Sequence, residues 1–265
     1  MLTEIKIDNR MTAYLGRPAG GGKRPVVIHL HERYGIVKHT LDLAQKLVDA
    51  GYLTVAPDLY WRFTGDREAL ARGDARAELK DDDVLKDLDD IIAYLKTVPD
   101  ADTSRIAMIG VCATGRQPLL VAARRNDITG VVVLYGAVYP ADWQPHPLRP
   151  EPINVLLEQV KCPVLGIFGE LDNLVPRDNV LRMRNVLEGA DKSFDICIYP
   201  DAPHGFLNDT MPGRYRAEQA QTAWNQLLSF LDLALKKGWN KERAVWRFES
   251  DASTHYDFSK NKRWE

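Results

Sequence analysis

The feature that most constrains this chain is its rhythm. Short runs of apolar, β-branched residues alternate with longer segments whose apolar residues recur every three to four positions. Val26 to Leu30, Tyr52 to Ala56, Arg105 to Ile109, Val131 to Tyr135, Val164 to Phe168 and Phe194 to Tyr199 read as strands. Between and after them, Thr40 to Ala50, Asp81 to Thr97, Gly115 to Arg125, Asp178 to Glu188 and Tyr215 to Leu235 read as helices. In Asp81 to Thr97, the residues Val84, Leu85, Leu88, Ile91, Ile92 and Leu95 share one stripe. Strands that are apolar at nearly every position must be covered on both faces. The alternation therefore predicts an α/β fold, a mostly parallel central sheet with helices on both sides. Glu4 to Ile7 and Thr12 to Leu15 predict an antiparallel hairpin at the sheet edge.

Two segments break the rhythm. Tyr139 to Pro152 holds Pro140, Pro145, Pro147, Pro150 and Pro152 together with Trp143. So many prolines exclude a helix or a central strand there, and the segment is expected to be a loop that crosses the sheet edge and shapes a pocket mouth. From Lys236 to Glu265 the chain is charged but carries Trp239, Trp246, Phe248, Tyr256, Phe258 and Trp264. Its aromatics predict that residues 236–265 pack as an extension on a single domain spanning residues 1–235.

Composition serves mainly to exclude. Lys and Arg total 35 against 37 Asp and Glu, a net charge of -2, so there is no electrostatic case for a nucleic-acid or membrane partner. No apolar run reaches the roughly 18 residues of a membrane span, and the first residues lack the basic-then-apolar plan of a signal peptide. Cys112, Cys162 and Cys197 show neither metal nor disulfide spacing. These features predict a cytoplasmic protein, a monomer or small homo-oligomer, with a small molecule as its partner.

Three motifs carry chemistry, each just after an expected strand, where open parallel sheets assemble their sites. Gly110-Val-Cys112-Ala-Thr114-Gly115 is a cysteine version of the G-x-S-x-G nucleophile elbow. Thr114 stands where that pattern has glycine, and the glycine follows one position later. The helix amino end beyond Cys112 favours a thiolate. Phe168-Gly-Glu170-Leu-Asp172-Asn-Leu-Val-Pro176 offers a carboxylate that could orient a histidine. Asp172 is ranked ahead of Glu170 because it lies deeper in the turn. Tyr199-Pro-Asp-Ala-Pro203-His204-Gly205-Phe206 holds a histidine fixed between Pro and Gly, able to take a proton from Cys112. Singly, each has an ordinary structural reading: a core cysteine, a turn aspartate, a surface histidine. Together they follow the chain order nucleophile, acid, base of α/β-hydrolases.

With these motifs in place, the sequence resembles the dienelactone hydrolase (carboxymethylenebutenolidase) family from about Met1 to Leu235. His31-Glu32-Arg33-Tyr34-Gly35 and Pro57-Asp58-Leu59-Tyr60 add to the likeness. The resemblance implies an α/β-hydrolase domain with a Cys112-His204-Asp172 triad and no cofactor. It also implies Glu32 near the cysteine, gating its thiolate, and an oxyanion hole made by the amides of Ala113 and Arg33. It further implies a basic residue for a substrate carboxylate shortly after the histidine, where this chain has Asn208. A second basic residue is expected before the Asp81 helix, with Arg67, Arg72 and Arg76 as candidates.

Tyr34, Tyr60, Trp61, Tyr139, Trp143 and Phe206, with Asn208, are candidates for the substrate pocket, though each aromatic would serve equally well in packing. Gly20-Gly-Gly-Lys23-Arg24 lacks phosphate-loop spacing and precedes a strand, so it reads as a turn. His29, His31, His39 and Glu32 do not recur at ligand spacing, and no metal is expected. Asp81-Asp82-Asp83 reads as a solvated helix start, and Cys162 and Cys197 as core residues in strands. The expected activity is hydrolysis of small esters or lactones through a thioester. The alternative is a ligand-binding protein that keeps the fold without the chemistry, motivated by Thr114 and Asn208.

Overall fold

The fold is described here from a computed structural model, for residues 1–248. Nine strands among these residues form one sheet in the order β1-β2-β4-β3-β5-β6-β7-β8-β9. The first two, β1 (Leu2–Ile7) and β2 (Met11–Gly16), are the antiparallel edge hairpin, and β2 also runs antiparallel to β4 (Leu53–Pro57). From β4 onward the sheet is parallel: β3 (Arg24–His29), β5 (Ala101–Val111), β6 (Ile128–Leu134), β7 (Val164–Gly169), β8 (Phe194–Tyr199) and β9 (Ala244–Phe248).

The near-continuous apolar strands have a direct explanation, because alternate residues feed two separate cores. Val26 and Ile28, Ile106 and Met108, and Val131 and Val133 face one side, against α3 (Asp81–Thr97), α4 (Arg116–Arg124), α5 (Ile153–Gln159) and α6 (Arg177–Gly189). Val27, Ala107, Ile109, Val132 and Leu134 face the other side, against α1 (Lys38–Asp49) and α7 (Ala217–Asp232). Each fully buried Val, Leu or Ile contributes about 1.5–3 kcal/mol, so neither layer of helices can be removed without exposing a full sheet face.

Several local features differ from the sequence reading. A short helix, α2 (Arg67–Arg72), is capped at its start by Asp66, whose carboxylate accepts the amides of Glu68 and Ala69. The Pro-rich segment is not all loop. Pro140–Trp143 makes a 3-10 turn, and Pro152 caps α5, its fixed φ suiting a helix start. Asp81 is buried, not solvated. Its carboxylate takes a two-point contact from Arg116 at the start of α4, at 2.8 and 3.3 Å. Cys197 lies in β8 as expected, whereas Cys162 precedes β7, with burial pushing its thiol up to about 12.

In the tail, the chain adds β9 beside β8, and Trp239 packs edge-on to Phe230 of α7 with ring centroids 5.0 Å apart. Trp246 packs against the α6-side core. Tyr256, Phe258 and Trp264 lie outside the described residues. No helix among the described residues is long and apolar enough to cross a membrane. The parallel strands all deliver their carboxyl ends, and the loops that follow, to one rim of the sheet.

Candidate active site

Cys112 turns the chain where β5 ends. Its φ of +51° lies in the left-handed region, which costs a non-glycine residue on the order of 1 kcal/mol or more and marks a held conformation. A single 3-10 turn, Cys112–Thr114, then leads into α4. The sharp bend requires close approach at two glycines. A Cβ on Gly110 would lie 2.4 Å from the Thr114 carbonyl oxygen, and one on Gly115 would lie 2.7 Å from the Ala137 nitrogen. Thr114 does not crowd this bend. Its buried hydroxyl donates to the His31 carbonyl at 2.7 Å and accepts the Val111 amide at 3.1 Å, stitching the elbow to the loop after β3.

The loops after β7 and β8 are tied to each other. The amide of Glu170 donates to the Tyr199 carbonyl and that of Leu171 to the Ala202 carbonyl. That pairing brings Asp172 to His204, with Oδ2 2.8 Å from Nδ1. The other carboxylate oxygen accepts the amides of Leu174 and Val175. On the far side of the ring, Nε2 lies 3.1 Å from the Cys112 sulfur. Glu170, the competing carboxylate, instead accepts the Asp201 amide at 3.4 Å. Burial alone would discharge His204. Hydrogen bonds to Asp172 and Cys112, with their charges, outweigh it and raise the imidazole to about 9. An imidazolium beside a sulfur is the environment in which a thiolate is stabilised.

Around this trio, the Tyr139 hydroxyl lies 3.7 Å from the sulfur as a weak donor. Burial, then the cysteine beside it, raises the Tyr139 pKa and keeps the phenol protonated. Glu32 is buried, and its Oε2 accepts the Asn208 side-chain amide at 2.8 Å while Tyr135 donates to Oε1 at 3.5 Å. Burial raises the Glu32 carboxyl, opposed by the Asn208 bond and by the His204 and Arg214 charges. The amides of Ala113 and Arg33 have no hydrogen-bond acceptor among the described residues. Among those residues no group of three or more His, Cys, Asp or Glu is placed to hold a metal ion. His29 and His39 are buried, and burial lowers them to about 3 and about 4, for His39 against the opposing charge of Asp209.

Cys112 opens on a cleft of about 370 Å³, within the range of small-ligand sites. Of the aromatics anticipated for its wall, Tyr60 and Tyr139 line it. The other four lie elsewhere because each is engaged by a different layer. Tyr34 sits under the Arg33 guanidinium, Trp61 donates to Asp87 on α3, Trp143 is covered by Arg182, and Phe206 packs with Tyr135 and Tyr199 in the α7-side core. Asn208 is directed at Glu32 instead of the cleft. Of the three basic candidates, Arg67 pairs with Asp58 and Arg72 with Glu68 and Asp74, whereas Arg76 lines the cleft. Motif reading did not find Gln117, Arg149 or Leu174, which also line it. Arg149 lies in the Pro-rich segment expected at the pocket mouth, which was the available signal. Gln117, one turn beyond the elbow, carried none.

The sequence profile of the dienelactone hydrolase family matches residues 11–235. A protein of Methylorubrum extorquens strain AM1, named "Putative carboxymethylenebutenolidase", is 34% identical over 233 residues, covering 84% of this chain and 78% of that one. A Bradyrhizobium protein named "Probable 2-oxo-3-(5-oxofuran-2-ylidene)propanoate lactonase" is 30% identical over 225 residues, covering 83% and 88%. A Klebsiella pneumoniae crystal structure described as a "Putative Dienelactone Hydrolase" superposes with a TM-score of 0.77 at 30% identity, covering 87% of this chain and 98% of the other.

Proposed function

The chain belongs to the dienelactone hydrolase family, and from that premise we propose that it hydrolyses small esters or lactones with Cys112 as nucleophile, His204 as general acid and base and Asp172 as the carboxylate that orients His204. The observation that carries this reading is the 3.1 Å approach of His204 Nε2 to the Cys112 sulfur, with Asp172 at 2.8 Å on the other nitrogen.

In the acylation step the Cys112 proton resides on His204 Nε2 and the sulfur adds to the substrate carbonyl. The carbonyl oxygen takes the negative charge and accepts the amides of Ala113 and Arg33, each worth about 3 kcal/mol of barrier when aimed at that oxygen. The C–O bond to the leaving group then breaks, and Nε2 returns its proton to the departing oxygen. A thioester remains. Water adds to it while Nε2 takes a proton from the water, the C–S bond breaks, and the acid leaves with the thiolate–imidazolium pair restored. In a lactone the leaving oxygen stays attached, so the product is one hydroxy acid.

The cleft supports substrates that carry an acid group. Arg33, Arg76 and Arg149 line it against a single acidic residue, Glu78. Arg76 stands for the second basic residue expected before the Asp81 helix, whereas Asn208 is turned toward Glu32. The departures that suggested a binding-only protein have local accounts, since the Thr114 hydroxyl bonds the His31 carbonyl and Asn208 holds Glu32.

The test compares wild type and Cys112→Ala on p-nitrophenyl acetate. A fall of about a thousandfold or more supports the reading, and equal rates at high purity sink it. Iodoacetamide should label Cys112 faster than Cys162 or Cys197 near neutral pH. Uniformly slow labelling would favour binding without catalysis.

A further inference from the structure

The Arg33 amide is half of a planar peptide unit whose other half is the Glu32 carbonyl, and trans geometry points the two in opposite directions. Whatever holds that carbonyl aims the amide. The holder is His31, with Nδ1 2.7 Å from the Glu32 oxygen, joined by the Gly35 amide at 3.2 Å. The position of the ring proton is decided by a neighbour. The Leu59 amide lies 3.1 Å from Nε2 and can only donate, so Nε2 carries the lone pair and Nδ1 the hydrogen. His31 is fully buried, its ring tilted against Tyr60 with centroids 4.5 Å apart. Burial lowers its pKa, which keeps the ring neutral and the Nε2 lone pair available. The preceding peptide is fixed as well, by the Thr114 hydroxyl on the His31 carbonyl at 2.7 Å. The Arg33 amide at the end of this chain has no acceptor of its own among the described residues, and Arg33 lines the cleft beside Cys112 and Ala113.

We propose that His31 is a positioning residue for the reaction. Its Nδ1–H bond to the Glu32 carbonyl aims the Arg33 amide at the oxygen that becomes negative, with the Leu59 amide selecting the tautomer that makes the bond. His31 touches neither substrate nor sulfur and acts through one peptide plane. The inference rests on the reading of Cys112 as nucleophile and extends it to the loops after β3 and β4.

Two substitutions separate the ring's two bonds. Asparagine places its amide near the Nδ1 position and can still donate to the Glu32 carbonyl. Glutamine reaches the Nε2 position, keeps an acceptor for Leu59 and gives up that donor. With p-nitrophenyl acetate, His31→Gln is expected to lower kcat by about thirtyfold or more with KM within about threefold, and His31→Asn to keep kcat within about fivefold. Alkylation of Cys112 by iodoacetamide displaces iodide and builds no oxyanion, so its rate should stay within about twofold of wild type in both variants. Thr114→Val, which removes the bond to the His31 carbonyl, should lower kcat several-fold with alkylation preserved, and it decides the matter alone if His31→Gln does not fold. Wild-type kcat in His31→Gln and Thr114→Val overturns the proposal. So does a parallel loss of hydrolysis and alkylation, which would mean that His31 only packs the site. The underlying reading fails differently, through Cys112→Ala hydrolysing the ester at the wild-type rate.

Discussion

Asp172 meets His204 through one oxygen because its other oxygen is already engaged. Oδ2 lies 2.8 Å from Nδ1, while Oδ1 accepts the amides of Leu174 and Val175 at 2.8 and 2.9 Å. The carboxylate therefore cannot rotate without abandoning two backbone donors.

This arrangement makes Asp172→Asn an informative variant. The two amides require an acceptor, so the asparagine oxygen takes the Oδ1 place and its NH2 faces His204. A donor there forces the ring proton to Nε2, the nitrogen that must accept the Cys112 proton. The expected result is a kcat on p-nitrophenyl acetate lower by about a thousandfold, with folding stability changed by less than about 1 kcal/mol near pH ~9.5, where the His204 charge no longer contributes. Asp172→Ala should lose both activity and stability, since it also strands the amides. Chemical denaturation alongside kinetics separates the two cases, and an active Asp172→Asn enzyme would remove Asp172 from the mechanism.

The charge on His204 also links stability to pH. Its folded-state value of about 9 lies above the ordinary 6.5, so folding takes up a proton between those values. The stabilisation is complete below about pH 6.5 and disappears as pH rises through about 9, with a ceiling on the order of 3 kcal/mol. Unfolding free energies of wild type and His204→Gln should thus differ most near pH 6 and converge by about pH 9.5. A difference that stays flat over that window would show that the imidazole is not held charged.

What could be read from the sequence follows what is encoded locally. Asp81–Thr97 announces itself by a stripe of six apolar residues, and Cys112, Asp172 and His204 each follow an apolar strand. What could not be read depends on distant partners or short spans. The six residues of α2 are too few to show a period, and Pro152, which looked like part of a loop, is the cap of α5. The burial of Asp81 depends on Arg116, 35 positions away, and the orientation of Asn208 on Glu32, 176 positions away. Tyr34, Trp61, Trp143 and Phe206 are indistinguishable from Tyr60 and Tyr139 by residue type. Only the layer each loop packs against separates pocket wall from core.

The Asp81–Arg116 pair is the most exacting of these distant contacts. Both side chains are almost fully buried, and Arg116 also donates to the Glu151 carbonyl at 2.6 Å. Removing one partner leaves an uncompensated charge in the interior, so Asp81→Ala should cost about 3–5 kcal/mol in urea unfolding. Asp81→Asn keeps hydrogen-bond acceptance and should cost less. Equal stability of wild type and Asp81→Ala would mean that water replaces the carboxylate and that the α3–α4 junction is not closed.

Arg76 provides the remaining test, of substrate class. Among the described residues it forms no ion pair, in contrast to Arg67, Arg72 and Arg149, and it lies at the cleft that Cys112 opens on. A cation left unpaired at the mouth of a site is available to an incoming carboxylate. Its exposure makes the attraction modest and sensitive to salt. The comparison is between p-nitrophenyl acetate and the mono-p-nitrophenyl ester of succinic acid, which differ in a free carboxylate. Arg76→Ala should raise the KM of the succinate ester about tenfold relative to that of the acetate. In wild type, the preference for the acid-bearing ester should shrink as ionic strength rises from about 0.05 to 0.5 M, as the Debye length contracts, and in the variant it should not. A preference that survives both the substitution and the salt would place the carboxylate at another cation of the cleft, with Arg33 and Arg149 the next to replace.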